Sequence, residues 1–167
     1  AHDLGFNLLR KHVKVEGELW YWLCDRMGML VIQDMPTGGG SYDKWRSINT
    51  PTLFRRSWSR FRDDTPSHWR KLAADDNSYR REWQHTRDLT VRRLSAHPSV
   101  IAWTLFNESW GQFDSFGQAQ RTRELDPTRP VIAASGWYDQ GAGNFVAIHN
   151  YFRSLQVYSH KDDRAFI

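Results

Sequence analysis

Asn107-Glu108 closes the apolar run Val100-Ile-Ala-Trp-Thr-Leu-Phe106, which lies between His97-Pro98-Ser99 and Ser109-Trp110-Gly111. A run that short reads as a strand buried on both faces. A carboxylate at the exit of such a strand is costly to desolvate unless a site uses it. In parallel α/β barrels the strand C-terminal ends carry the catalytic groups. Glu108 is therefore a candidate general acid and base. The same residues also suit a helix start, with Asn107 or Ser109 as cap and Glu108 in the first turn. Local sequence leaves both readings open.

Other chemically capable residues recur in the same setting, directly after apolar runs. Arg10 and His12 follow Leu4–Leu9, and Asp34 follows Met29–Ile32. Trp137 follows Arg129–Ala134 through Ser135-Gly136. His149 and Tyr151 follow Phe145–Ile148 and share a face if that strand continues. Each has a plainer reading. Arg10 and His12 suit solvent beside Lys11 and Lys14, Asp34 suits a turn before Pro36, Trp137 suits packing, and His149 suits a hydrogen-bonded interior position.

Something must hold these groups together. Glu16–Met27 reads as a helix, with Leu19, Trp20, Leu23 and Met27 at helical spacing and Gly28 as its stop. With the runs before and after it, this helix forms a βαβ unit, which implies parallel strands and a right-handed crossover. Thr37-Gly-Gly-Gly-Ser41 breaks the pattern, and about 37–77 reads as an irregular insertion with short helices. Ser78–Ala96 is an amphipathic helix with Tyr79, Trp83, Thr86, Thr90, Val91 and Leu94 on its apolar stripe and its arginines mostly elsewhere. Gln112–Leu125 is a further helix, ended by Asp126-Pro127. Arg164–Ile167 begins another apolar run.

The chain has 167 residues, enough for one core but short of the roughly 250 of a complete eight-stranded barrel. Nine tryptophans suit both cores and flat, half-polar ligands such as sugars or bases. The net charge of +4 permits anion or nucleic-acid binding without requiring it. The stretch Arg55-Arg56-Ser-Trp58-Ser-Arg60-Phe-Arg62 is the one place that suggests a nucleic-acid module, but Asp63, Asp64, Asp75 and Asp76 dilute its charge. Cys24 stands alone, which excludes an intrachain disulfide framework, and with Met27 and Met29 it reads as core. No stretch is long enough to span a bilayer. The chain opens Ala1-His-Asp-Leu with no leader, so the expected reading is a piece of a longer protein. Its compartment is not legible, and a periplasmic or secreted parent is compatible.

Gly5-Phe-Asn-Leu-Leu-Arg-Lys-His12 and Trp20-Tyr-Trp-Leu-Cys-Asp-Arg-Met-Gly-Met-Leu-Val-Ile-Gln-Asp34 resemble the second and third strands of glycoside hydrolase family 2 barrels. His97-Pro-Ser-Val-Ile-Ala-Trp-Thr-Leu-Phe-Asn-Glu108 is similar to that family's acid/base segment, and Asp126-Pro-Thr-Arg-Pro130 and Ile148-His-Asn-Tyr151 to the next two. Lys11 stands where the family more often has Ser. The resemblance implies an α/β fold, an incomplete (β/α)8 TIM barrel holding strands two to six and the start of seven. It implies retaining hydrolysis of terminal β-glycosides with no metal or organic cofactor. Glu108 would be the acid/base. Asn107, His149, Tyr151, Trp137, Arg10, His12 and Asp34 would bind the carbohydrate substrate. The nucleophile would lie beyond Ile167, leaving the fragment inactive and, as an open barrel, prone to self-association or homo-oligomer formation. A pocket near Trp103, Phe106 and Trp110 would raise the Glu108 pKa. The alternatives are a non-catalytic carbohydrate-binding protein and the nucleic-acid module, the latter set well behind; neither a nucleic-acid nor a membrane partner is expected.

Overall fold

A computed structural model describes residues 2–41, 43–54, 56–151, 154 and 163–167. Four strands form one sheet in sequence order: β1 (Leu8–Lys11), β2 (Leu30–Asp34), β3 (Val100–Asn107) and β4 (Val131–Ser135). All three pairings are parallel, with Leu9 beside Val31, Gln33 beside Trp103 and Asn107 beside Ser135. Helices α1 (Glu18–Met27), α5 (Asn77–Leu94) and α6 (Ser115–Leu125) fill the crossovers. Three one-turn helices, α2 (Thr50–Leu53), α3 (Ser57–Arg60) and α4 (Pro66–Lys71), lie between β2 and α5. Two short parallel strands, β5 (Phe145–Val146) and β6 (Ala165–Phe166), follow. Asn144 joins β5 to β4 by exchanging hydrogen bonds with Val131, at 2.8 and 2.9 Å. Four parallel strands joined by helical crossovers make this an arc of a (β/α) barrel.

Alternation along the strands divides the core. Val31, Trp103, Val131 and Ala133 pack toward the helices with Trp83, Val91, Leu94 and Phe113. Ile32, Ala102 and Ile132 face the other way with Ala147. On the helix side Trp83 stacks on Phe106 at 4.5 Å between centroids. Polar groups close the strand entrances: Asp25 accepts from the Ser99 amide at 2.9 Å and lies 2.6 Å from His97 Nδ1.

Several expectations need correction. The first strand begins at Leu8; Leu4 and Phe6 are apolar but exposed, and His2–Leu4 is a 3-10 turn. On α1 the buried face is Tyr21 and Cys24, whereas Leu19, Leu23 and Met27 are 68%, 43% and 51% exposed. The helix is apolar on two faces, and the sheet takes the one that spacing alone did not single out. Met27 is thus not core, although Cys24 and Met29 are buried. Arg87 is buried on α5, where Asp88 and the Gln118 side chain pair with it at 2.7 and 2.8 Å. Strand β5 stops at Val146, so His149 and Tyr151 are carried on irregular chain.

The crossover from β2 to α5 folds back over the strand exits. Gly111 donates to Leu72 O at 2.7 Å, Asp139 to Trp58 O at 2.7 Å, and the Gln140 amide to Phe61 O at 2.9 Å. Gly111 makes a close crossing: a Cβ there would stand 2.1 Å from Gly38 O and 2.2 Å from Tyr79 Oη. The aromatics of the Arg/Trp-rich stretch point inward. Trp58 is buried and donates to Pro51 O at 2.8 Å, and Phe61 packs on Tyr138. Residue 55 of that stretch lies outside the described residues.

Candidate active site

The exits of β1 to β4 bring most of the expected site residues into one hydrogen-bonded network. Arg10 leaves β1 and reaches Asp34 at the end of β2 through Nε and Nη2, both at 2.9 Å. Nη2 also donates to Asn107 Oδ1 at 3.1 Å, and Nη1 lies 3.3 Å from His149 Nε2. Asp34 is 1% exposed, so its charge is neutralised locally by the guanidinium. It is not merely a turn cap before Pro36. His12 sits 3.5 Å from Asp34 and remains largely exposed. Lys11 turns away, pairing with Glu16 and lying over the Trp20 ring.

His149 links this cationic group to the acid. Its Nδ1 is 2.9 Å from Glu108 Oε1, and its Nε2 is 3.0 Å from Ser135 Oγ. A guanidinium can only donate, so Nε2 is the acceptor and Nδ1–H donates to Glu108. Arg10 thereby sets the tautomer through which His149 holds the carboxylate. Tyr151 donates its hydroxyl to the same Glu108 oxygen.

The His149 hydrogen bond holds the Glu108 carboxyl below its usual range; burial pushes it up, but the Tyr151 bond and the nearby His12 add to the lowering. This overturns the expected upward shift. Of the three aromatics expected to raise it, Trp110 does line the pocket, but Trp103 is fully buried and donates to Asp126 at 3.0 Å, and Phe106 lies against Trp83.

Glu108 and Ser109 both have left-handed backbone, at φ 50° and 65°. Such conformations are strained for residues with a Cβ and concentrate at functional sites. The Glu108 amide still pairs with Ser135 O at 3.0 Å, so β3 delivers the residue before the chain turns. Glu108 is not in a helix, which settles its local reading: it stands at a strand exit. Asn107, Glu108, His12, Val13, Thr37 and Trp110 line an open pocket of about 350 Å³, within the usual size range of small-ligand sites.

Trp137 is placed differently from the expected stacking platform. It is 4% exposed and packs with Trp58, Leu72 and Tyr138, presenting its ring to the edges of His149 and Tyr151. Sequence reasoning passed over Ser135 and Gly136. A Cβ at Gly136 would stand 2.8 Å from His149 Cγ, so the histidine fits only because this position is bare. Two aspartates that could have offered a second carboxylate are engaged. Asp34 is held by Arg10, and Asp139 forms a two-pronged pair with Arg164 at 2.8 and 2.6 Å. Among the described residues, no group of three or more His, Cys, Asp or Glu is arranged to hold a metal ion. None of the described helices is long and apolar enough to cross a membrane.

Comparison with known proteins bears on this arrangement. The model of the glycosyl hydrolases family 2 TIM barrel domain matches residues 2–163. A β-galactosidase of Psychromonas ingrahamii is 30% identical over 142 residues, which is 85% of this chain and 11% of that protein. A β-galactosidase of Enterobacter cloacae gives the same identity and coverage. The chain therefore spans 11% of the length of these relatives. The crystal structure of a GH2 β-galacturonidase from Eisenbergiella tayi, bound to galacturonate, superposes with a TM-score of 0.51 at 19% identity. That match covers 78% of this chain and 19% of the other, and it is a likeness of fold.

Proposed function

This chain belongs to the TIM barrel domain of glycosyl hydrolase family 2, and on that premise we propose that it supplies the acid/base half of a site for retaining hydrolysis of terminal β-glycosides. The observation that carries the reading is the convergence on Glu108. A strand-exit carboxylate receives His149 and Tyr151, and through His149 it is tied to Arg10, Asp34 and Asn107.

Retaining hydrolysis needs two carboxyl groups, about 5–5.5 Å apart, one donating a proton and one attacking the anomeric carbon. Glu108 takes the first role. By the family resemblance the second would stand at the exit of the strand that β6 begins, beyond Ile167; Asp34 and Asp139, both locked to arginines, are poor substitutes for it. A second carboxylate that close would also push the Glu108 pKa up, since two like charges resist ionising together. Glu108 would then be protonated when the glycoside binds and ionised once the leaving group has taken its proton. Asn107, held by Arg10, faces the pocket beside Glu108 and offers its amide to a sugar hydroxyl. On this reading the 167-residue chain by itself is predicted to give no turnover.

The test compares Glu108→Gln with the unaltered full-length protein on two aryl β-glycosides. On a poor leaving group such as phenol, turnover should fall by roughly 10²–10⁴-fold. On dinitrophenol, which needs no protonation, formation of the glycosyl-enzyme should be nearly unaffected. Equal losses on both would sink the proton-donor role. Saturable sugar binding with no turnover by the full-length protein would point to a carbohydrate-binding protein instead.

A further inference from the structure

Beyond the network around Glu108, a buried carboxylate in the β2–α5 crossover remains without a task. Asp63 is 1% exposed, and one of its oxygens accepts from Gln112 Nε2 at 2.9 Å and from the Ser115 amide at 3.0 Å. Its backbone carbonyl accepts from the Asp114 amide at 2.8 Å and from Trp69 Nε1 at 2.6 Å. Gln112 is fully buried, and the same Nε2 donates to Tyr138 O at 3.0 Å. One side-chain amide thus joins three loops: the crossover after β2, the turn after β3 and the turn after β4.

The turn after β3 is the one that carries the acid. It runs from Glu108 to Asp114 through left-handed backbone at Glu108, Ser109, Gly111 and Asp114. Short strained backbone of this kind persists only when its surroundings over-determine it. Burial of the Asp63 carboxyl raises its pKa despite the hydrogen bonds from Ser115 and Gln112. A costly buried acid that only tied a surface loop down would be replaceable by an apolar side chain.

We propose that Asp63 and Gln112 are a positioning pair that fixes the Glu108–Asp114 turn, and with it the placement of the Glu108 carboxyl against the glycosidic oxygen. This rests on the reading of Glu108 as proton donor. Neither residue touches substrate. Their effect travels through the backbone of six intervening residues at most.

The test uses Asp63→Ala, Asp63→Asn, Gln112→Leu and Glu108→Gln in the full-length protein, each assayed on phenyl and dinitrophenyl β-glycosides. An acid displaced by about 1 Å loses on the order of 100-fold in rate, and the loss should fall on kcat for the phenyl glycoside. Formation of the glycosyl-enzyme from the dinitrophenyl glycoside, read as kcat/KM, should stay within a few fold. Asp63→Asn keeps an oxygen where both donors point and should restore most of the activity. Gln112→Leu should match Asp63→Ala and carries the comparison alone if Asp63→Ala does not fold. Equal losses on both glycosides, or no rescue by Asp63→Asn, would overturn the pair. A steep response of Glu108→Gln beside a flat one of the pair variants overturns the pair alone; a flat response of Glu108→Gln overturns the acid assignment and the pair with it.

Discussion

The guanidinium of Arg10 grips the carboxylate of Asp34 with two hydrogen bonds of 2.9 Å, across the first two strands of the sheet. The fork leaves Nη1 and Nη2 with further protons, and these go to His149 and Asn107. One cation therefore orients two groups that border Glu108, while Asp34 orients the cation.

Arg10→Lys tests that geometry. Lysine keeps the charge but not the planar fork. Each charged hydrogen bond lost is worth about 1.5–3 kcal/mol, which is tenfold or more in rate. We expect kcat/KM of the full-length protein to fall at least tenfold, with a lowered denaturation midpoint because Asp34 is buried against the fork. An unaltered kcat/KM would show that Arg10 does not set the site.

Gly136→Ala should act through His149. The new Cβ would meet the imidazole at 2.8 Å from Cγ, on backbone at φ +102°. Left-handed strain of this kind costs about 1–3 kcal/mol, and the ring must also move away from Glu108. Loss of kcat beyond tenfold together with an upward shift of the alkaline limb of the pH–rate profile is the expected result, since the proton donor must be protonated to act and His149 is the first cause holding the Glu108 carboxyl low. The shift, measured as kcat/KM against pH, separates this from simple loss of stability.

Asp126 should govern acid resistance of the fold. Burial alone would raise its pKa, but hydrogen bonds from Thr128, Arg129 and Trp103 outweigh this and hold it at about 2. A carboxyl depressed on folding contributes stability above its unfolded pKa, near 4, and that contribution fades as pH falls toward 2. Asp126→Asn should lower unfolding free energy at pH 7 by about 1–3 kcal/mol and flatten its dependence on pH between about 4 and 2. Urea titrations across that range read both effects.

The outer face of α1 should be adhesive in the isolated chain. Leu19, Trp22, Leu23 and Met27 are all 43% exposed or more. Contiguous apolar patches of this sort mark contact surfaces or aggregation sites. Trp22→Lys with Leu23→Lys should reduce binding of a hydrophobic dye and reduce association in sedimentation, while circular dichroism stays unchanged. Persisting association would place the sticky surface elsewhere, with the free edge of β1 next in line.

These elements differ in how far the sequence exposed them. The parallel strands were readable because each is a short apolar run ended by polar residues, and burial on both faces demands such runs. The grouping of Arg10, Asp34, Asn107, Glu108 and His149 follows from that rhythm, since parallel strands put all exits on one rim. The face of α1 was not readable, because Leu19 and Tyr21 are equally apolar and only the partner decides between them. Trp137 looked like a platform for the same reason. The Asp63–Gln112 contact spans 49 positions of chain and has no local signature. The direction of the Glu108 pKa depended on His149 and Tyr151 arriving from a distant irregular segment. Neighbouring aromatics in the strand gave the opposite impression.

The meeting of Gly38 with Gly111 has a consequence for how such a protein can change. The block is one-sided: a Cβ at Gly38 would meet open space, whereas one at Gly111 would strike the Gly38 carbonyl and the Tyr79 hydroxyl. The loop after β2 can therefore vary in side chain at Gly38 on its own, but the loop bearing Glu108 cannot at Gly111. A side chain at Gly111 would have to arrive together with a changed path of the crossover beneath it.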